Sequence, residues 1–385
     1  MEEITARWTE YCSELYSGEI DCSSKVAELS QISPPATDDN NDDILLEEVQ
    51  SAIKKLKKNK SAGTDGITAE MIRAGGEALT RQIHLLCNQV WKEERFPEEW
   101  TQSMIVIIPK KGDLKECTNY RTISLISHMC KVMLMVLLER LKAQMEPNLA
   151  EEQAGFRRDR STIQQILTLR LIAEKAKRKN IKVYNCFIDF KKAFDSIQQS
   201  IIWATFGSFA VGEKLIRVLK NSYEQSKSAV RVGAMLGEWF KTSIGTRQGD
   251  PLSPTTFIAY LERVMDTVQE RGTGVAINGR LINNLRFADD IDLLEVNRDN
   301  LQENLEQLRK VGEESGLVIN KDKTKSMVFG AEQIGSSLKL GNQDIENVGE
   351  FVYLGSLLTW DNDCSKEIKI RRDRAMAAMS SLRII

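Results

Sequence analysis

Residues Leu285-Arg286-Phe287-Ala288-Asp289-Asp290-Ile291-Asp292-Leu293-Leu294 carry apolar side chains into and out of an Asp-Asp pair, with Arg286 and Asp292 as polar breaks. This pattern predicts strand, tight turn, strand. Asp tolerates the dihedrals that such a turn requires. Two neighbouring carboxylates at a hairpin tip repel each other and do little to hold it. A divalent cation would reconcile them, because hard cations such as Mg²⁺ take carboxylate oxygens. Asp-Asp also occurs at 38–39 and 42–43, so the pair alone does not separate a metal site from a solvated turn. A third carboxylate and a phosphate-binding apparatus would.

Upstream, Lys182-Val183-Tyr184-Asn185-Cys186-Phe187-Ile188-Asp189-Phe190 reads as a buried strand with a carboxylate at its C-terminal end. A charged residue where a core strand emerges points to chemistry. Asp195, beyond the turn at Lys191–Phe194, has a blander explanation as a cap or brace. The β-branched run Ser103–Ile108, the loop Pro109–Asp113 and a return strand at Asn119–Leu125 form a hairpin presenting Lys110, Lys111 and Arg121. A phosphate group suits that set, Arg as a bidentate fork and Lys as a point charge, although exposed solubilising charge would look the same. Gly245-Thr246-Arg247-Gln248-Gly249-Asp250-Pro251-Leu252-Ser253-Pro254 then opens a long helix reaching about Glu270. Gly249 allows close backbone approach there, and Gln248 offers both a donor and an acceptor.

The rest of the chain is consistent with an ordinary globular protein of two or three packed units: 385 residues, 42% hydrophobic and 28% charged. Met1-Glu2-Glu3-Ile4-Thr5 lacks the start of a signal peptide, and the most apolar helix, Met129 to Leu141, is short and interrupted by Lys131. Seven cysteines without a Cys-x-x-Cys pair and two histidines argue against zinc clusters and a disulfide framework, and for a reducing compartment. The net charge of −2 does not mark a nucleic-acid binder, but it hides −11 over residues 1–50 and +9 over the remainder. Basic runs at Lys54–Lys60, Arg157–Arg160 and Lys175–Lys182 suit either solvated faces or a polyanion groove.

Residues 1–43, with a helix around Trp8–Tyr16, then Ser33-Pro34-Pro35 and the acidic Asp38–Asp43, read as a linker. Amphipathic helices are expected from Ile44 to Asn59 and from Ala69 to Glu94, and further helices at about 128–146 and 162–179, flanking Gln153-Ala154-Gly155-Phe156-Arg157. Beyond the Asp-Asp hairpin come a helix marked by Leu301, Leu305 and Leu308, strands at 317–320 and 325–329, a hairpin including Phe351–Gly355, and a basic helix from Ser365.

Taken in order, these blocks resemble the reverse transcriptase of non-LTR (LINE-type) retrotransposons, in an RTE- or jockey-like form, over about residues 44–385. Ile105–Gly112 and Asn119–Ser127 look like its first two fingers motifs, Phe187–Asp195 motif A, Gly245–Pro254 motif B, Phe287–Asp290 motif C, Gly316–Met327 motif D and Phe351–Ser356 the primer grip. The resemblance implies an α/β (α+β) right-hand polymerase fold. Fingers would occupy 44–185 with the 105–127 hairpin, palm 186–345, and primer grip with the start of a truncated thumb 346–385. The reverse transcriptase domain as a whole would cover about 105–358.

The implied activity is RNA-directed DNA synthesis, joining dNTPs to the 3′-hydroxyl of a DNA primer on an RNA template. Asp189, Asp289 and Asp290 would be the catalytic carboxylates. With the main-chain carbonyl of Phe190 they would hold a pair of Mg²⁺ ions, Mn²⁺ being the alternative. Lys110 and Arg121 would grip the triphosphate, and Lys323, in preference to Lys325, would protonate the pyrophosphate. Gln248 and Gly249 would line the templating pair, and Phe194 would exclude a ribose 2′-hydroxyl. Tyr353, Leu354 and Gly355 would hold the primer. Asp250 stands where many relatives have Cys. An endonuclease expected upstream in the full element is absent from this chain, and the thumb looks to begin at about residue 361 and to be cut short. The nucleus and cytoplasm, with no membrane, are the expected setting. A different reading is a truncated or domesticated relic that binds RNA without polymerising; an RNA-templated RNA polymerase is disfavoured by Phe194.

Overall fold

The run Ile105-Val106-Ile107-Ile108 lies in a strand, Gln102–Pro109, that pairs antiparallel with Tyr120–Ile126 and parallel with Lys227–Val232. Branched side chains suit such a pleated, half-buried surface. Met235–Leu236 and Phe240–Lys241 both pair with Lys227–Val232, which completes a five-stranded sheet. The computed structural model describes residues 1–32, 42–330 and 337–382. This sheet belongs to one compact unit, Met1–Leu149 with Lys192–Tyr260; Ala150–Lys191 with Leu261–Ile385 make another. Both units are discontinuous. Sheet pairing is the reason, since Gln102–Pro109 finds its parallel partner more than a hundred residues downstream.

In the first unit, Leu46–Lys55 packs on His128–Met145 and on Gly76–Glu93. Its Glu47 and Glu48 sit in the first turn and Lys54 and Lys55 in the last, as the helix dipole favours. The single helix expected from Ala69 to Glu94 is two, Ala69–Ala74 and Gly76–Glu93, because Gly76 takes a φ of +61°.

The linker expected over residues 1–43 is corrected in its described part, which forms helices Glu2–Leu15 and Ser23–Gln31. Thr5, Trp8 and Cys12 recur at three- and four-residue spacing, so the first helix has one buried face while Glu2, Glu3, Glu10 and Glu14 stay exposed. Trp8, Cys12 and Tyr16 share a core with Ile105 and Val230 of the sheet. Ser23–Gln31 packs on Gln199–Ser208. Ser33-Pro34-Pro35 and the acidic start at Asp38-Asp39 lie outside the described residues.

The second unit is built on a four-stranded antiparallel sheet in the order Lys325–Phe329, Val183–Ile188, Asp290–Glu295, Asn284–Phe287. Leu169 and Ile172 of the helix Thr162–Lys179 meet Phe187, Leu294, Met327 and Tyr353 in one core. The hairpin Glu350–Tyr353 with Ser356–Thr359 is anchored by Phe351, whose ring stacks on Phe187 at 4.1 Å and 8° from parallel. Arg298–Glu314 packs on Asp290–Glu295 and buries Leu301, Leu305 and Leu308. The strand expected at 317–320 is a single bridge, Phe190 to Ile319. Among the described residues no helix is long and apolar enough to cross a membrane.

Candidate active site

Val183–Ile188 is the buried strand expected, and Asp189 is the first residue beyond it. The register Ile291 opposite Ile188 sets Asp290 beside Asp189 at the same end of the sheet. Phe287 pairs with Asp290, so Ala288 and Asp289 make a two-residue turn in which Ala288 has a φ of +59°. The bridge to Ile319 uses the carbonyl of Asp189, which accepts from Asn320 at 2.7 Å, and the amide of Lys191, which donates to Val318 at 2.8 Å. The carbonyl of Phe190 takes no part in that bridge.

Charge is crowded here. Asp289 is held above the usual carboxylate range by burial and then by the charge of Asp189. Asp290 keeps some surface in solvent, yet it is pushed up to about 6, first by loss of solvent around its carboxylate and then by Asp289 and Asp189. Lys323 opposes both shifts, and its Nζ lies 3.4 Å from Asp189 Oδ2. Lys325 is engaged elsewhere, 2.7 Å from Glu346 Oε2.

These groups fit a hard divalent cation. Asp189 Oδ2 is buried and has no hydrogen bond among the described residues, and all three acids, when ionised, offer acceptor-only oxygens whose mutual repulsion a cation would relieve. Among the described residues no group of three or more His, Cys, Asp or Glu side chains is placed to hold a metal ion by itself. Asp189, Asp289 and Asp290 would therefore hold an ion whose remaining coordination comes from water or substrate oxygens.

Two further residues shape the turn, and neither was singled out from the sequence. Gln153, fully buried, accepts through Oε1 from the amides of Gly155 at 2.7 Å and Ala288 at 3.0 Å. Around it the Ala154 amide donates to Arg286 O at 2.9 Å and the Arg286 amide to Glu152 O at 3.0 Å. A Cβ on Gly155 would lie 2.2 Å from the Ala288 nitrogen. The signal was a Gln-x-Gly between two helices, which local pattern does not interpret. Arg286 itself is buried in an ion pair with Glu262 at 2.9 Å. Asp292, a polar break in the same stretch, is wholly buried and, among the described residues, has no hydrogen-bond partner, and burial alone lifts its pKa far above the usual range.

The residues expected to hold the primer are also in this unit. Tyr353 is buried with its ring 5.7 Å from that of Phe187. Leu354 and Gly355, at φ +48° and +84°, form the two-residue turn of their hairpin.

In the first unit, Ile108 pairs with Arg121 and the Lys110 amide donates to Asn119 O at 2.7 Å, which puts Lys110 and Arg121 on one face of the hairpin with both side chains exposed. Phe194 is half-buried, its ring stacked on Phe257 at 4.4 Å. Asp195 accepts from Gln248 Nε2, at 3.2 Å to Oδ1 and 3.4 Å to Oδ2, so it braces the turn as expected of it. Burial pushes Asp195 up to about 6 against the hydrogen bonds of Tyr16 and Gln248. Ser124 N donates to Gln248 O at 2.7 Å. Gly249 has a φ of +120°, and a Cβ on it would lie 2.5 Å from Ser124 O. Asp250 is buried and accepts from Leu252 N at 2.8 Å.

Comparison with known proteins agrees with these features. Residues 108–358 match the family model described as reverse transcriptase (RNA-dependent DNA polymerase). The chain is 32% identical over 295 residues to the Pol polyprotein of the type-1 retrotransposable element R2 from Popillia japonica, a match covering 75% of this chain and 40% of the relative. It is 25% identical to the RNA-directed DNA polymerase from mobile element jockey of Drosophila funebris, over 82% of this chain and 35% of that protein. The chain thus spans well under half the length of these relatives. In fold it is similar to an apo telomerase from Candida tropicalis truncated from its C-terminal domain, with a TM-score of 0.52, 15% identity, and coverage of 74% and 60% of the two chains. That likeness establishes the right-hand polymerase fold in mixed α and β structure. The family generally uses divalent metal ions. With the family model spanning most of its length and the acids of its sheet end in register, this chain belongs to the reverse transcriptase family, among the polymerases of non-LTR retrotransposons.

Proposed function

We propose that this chain is an RNA-directed DNA polymerase, extending a DNA primer on an RNA template from dNTPs. The observation that carries the reading is the register placing Asp189 beside Asp290 and the Asp289 turn, with the charges of Asp289 and Asp189 helping to hold the Asp290 carboxyl up. Asp189 and Asp289 would be the main ligands of a pair of Mg²⁺ ions, with Asp290 as close support and the Phe190 carbonyl completing one site. When bound, these ions would supply Lewis acidity toward the primer 3′-hydroxyl and the leaving pyrophosphate.

The protein's own groups do the rest. Lys110 and Arg121, exposed on one face of their hairpin, bind the triphosphate. Lys323 gives a proton to the departing pyrophosphate. Phe194, braced by Phe257, closes the space that a 2′-hydroxyl would need. Gln248 and Gly249 line the templating pair, and Tyr353, Leu354 and Gly355 support the primer strand. RNA template, target-derived DNA primer and dNTPs are the partners, in the nucleus or cytoplasm.

Purified protein with Mg²⁺, a DNA-primed RNA template and dNTPs should extend the primer. Asp289→Asn keeps the shape of the side chain but removes its charge, and it should lower extension at least a thousandfold with duplex binding retained. Extension surviving that change would overturn the mechanism.

A further inference from the structure

The N-terminal helix ends in a residue that touches three separate parts of the first unit. Tyr16 follows Glu2–Leu15 and is 4% exposed. Its main-chain carbonyl accepts from the amides of Ser243 at 2.9 Å and Ile244 at 3.3 Å. Its hydroxyl lies 2.7 Å from Thr122 Oγ1, one residue from Arg121, and donates to Asp195 Oδ1 at 3.2 Å. Asp195 in turn follows Phe194 and accepts from Gln248 Nε2. The segments carrying Asp195 and Gln248 are also joined directly, Gly245 N to Ile197 O at 2.7 Å and Thr246 N to Phe194 O at 2.8 Å.

Proton counting gives this network a direction. An ionised carboxylate only accepts, so Tyr16 donates its one O–H to Asp195 and receives the hydroxyl proton of Thr122. For the same reason the nitrogen end of the Gln248 amide must face Asp195. Gln248 therefore has its carbonyl oxygen, an acceptor, as the end left to meet a ligand. An unbraced Gln could turn its amide over and present a donor instead.

We propose that Tyr16 is a positioning residue: through Asp195 it fixes which end of the Gln248 amide faces the incoming nucleotide, making the N-terminal helix part of nucleotide selection. This rests on the reading of Gln248 as lining the templating pair. Tyr16 touches no substrate itself. Its effect passes through a buried carboxylate, and the aromatic ring serves the core with Trp8, Cys12, Ile105 and Val230 independently of the hydroxyl.

Tyr16→Phe removes only the hydroxyl and leaves the ring, so steady-state primer extension on an RNA template, with correct and mismatched dNTPs, separates the roles. The KM for the correct dNTP should rise about tenfold and misincorporation several-fold, the size expected from losing a hydrogen bond to a charged group, with kcat within twofold. Asp195→Asn should move KM in the same direction while leaving the Tyr16 ring and its core contacts in place, which covers the case of a poorly folded Tyr16 variant. In a Gln248→Ala background, Tyr16→Phe should add nothing further, because the route is gone. Independent, multiplicative effects in the double variant would overturn the proposal, as would a Tyr16→Phe enzyme of unchanged KM and fidelity. If Gln248→Ala is itself silent, the reading of Gln248 fails and this inference falls with it; if Gln248→Ala is impaired while Tyr16→Phe is not, only the inference fails.

Discussion

Gly155 lies so close to Ala288 that a methyl group on it would sit 2.2 Å from the Ala288 nitrogen. Ala288 is the first residue of the Asp289 turn and is already held at a φ of +59°. Nothing flexible lies between the two, since the obstructing atoms are backbone. Gly155→Ala should therefore push the turn off its Gln153 support and misplace both carboxylates. The expected cost is about 1–3 kcal/mol in thermal or denaturant unfolding, as for other overpacked sites. Primer extension should fall far more than that loss of stability explains, at least tenfold at temperatures where the variant remains folded. Full activity in a folded Gly155→Ala protein would show that the contact has no part in placing Asp289.

Phe194 is expected to decide which sugar is accepted. Its ring is stacked on Phe257 at 4.4 Å, which limits how far it can withdraw. Phe194→Val shortens the side chain while keeping it apolar. Ribonucleotide incorporation relative to deoxyribonucleotide incorporation, compared as kcat/KM, should rise at least tenfold, about 1.4 kcal/mol of lost discrimination. An unchanged ratio would leave Phe194 as a packing residue only.

How much of this could be read from the linear chain depends on how far apart the interacting residues lie. Asp189 and the Asp289-Asp290 pair were legible because each ends its own apolar strand, a pattern visible within ten residues. The Lys110–Arg121 hairpin was legible for the same reason. Gln153 and Gly155 were not, because the group they support is 135 residues away from Gln153 and neither has a side chain whose chemistry announces a role. A helix around Trp8–Tyr16 was expected, but its packing into the core was not, because its exposed acids dominate the composition, while Trp8, Cys12 and Tyr16 reveal their purpose only against Ile105 and Val230. The break at Gly75-Gly76 shows the reverse case: apolar periodicity continues across it, and a single positive φ ends the helix.

Asp195 links pH to stability. Its carboxyl is pushed up from 3.8 to about 6, chiefly by burial, while Tyr16, Gln248, Lys192 and Lys110 pull it down without winning. A carboxyl raised in the folded state holds its proton more tightly there than in the unfolded chain. The folded protein is thus not penalised below the unfolded pKa and carries the full penalty above the folded one. Between about pH 4 and pH 6 the stability of wild type should fall relative to Asp195→Asn, by a total of about 3 kcal/mol. Any offset between the two proteins at low pH reflects the changed hydrogen bonds; only the slope is diagnostic. Denaturant melts of both proteins across that range would measure it, and parallel pH profiles would contradict a raised pKa at this site.

Two lysines stand close together in sequence, and their surroundings separate them. Lys323 is well exposed with its Nζ 3.4 Å from Asp189 Oδ2, whereas Lys325 is partly buried and bound to Glu346 at 2.7 Å. A group that protonates pyrophosphate must keep a proton available beside the metal-binding carboxylates and be free to approach the leaving oxygen. Lys323 meets both demands, and an ammonium already committed to Glu346 meets neither. Lys323→Gln should lower the rate of the chemical step about a hundredfold in single-turnover extension, within the range for general acids, and leave the dNTP dissociation constant within about threefold. Lys325→Gln should cost less than about 1 kcal/mol of stability through its surface ion pair and leave the rate of chemistry nearly unchanged. If the two substitutions exchanged these effects, the proton would have to come from Lys325 after release from Glu346, and Lys323 would be left with charge balance at Asp189 alone.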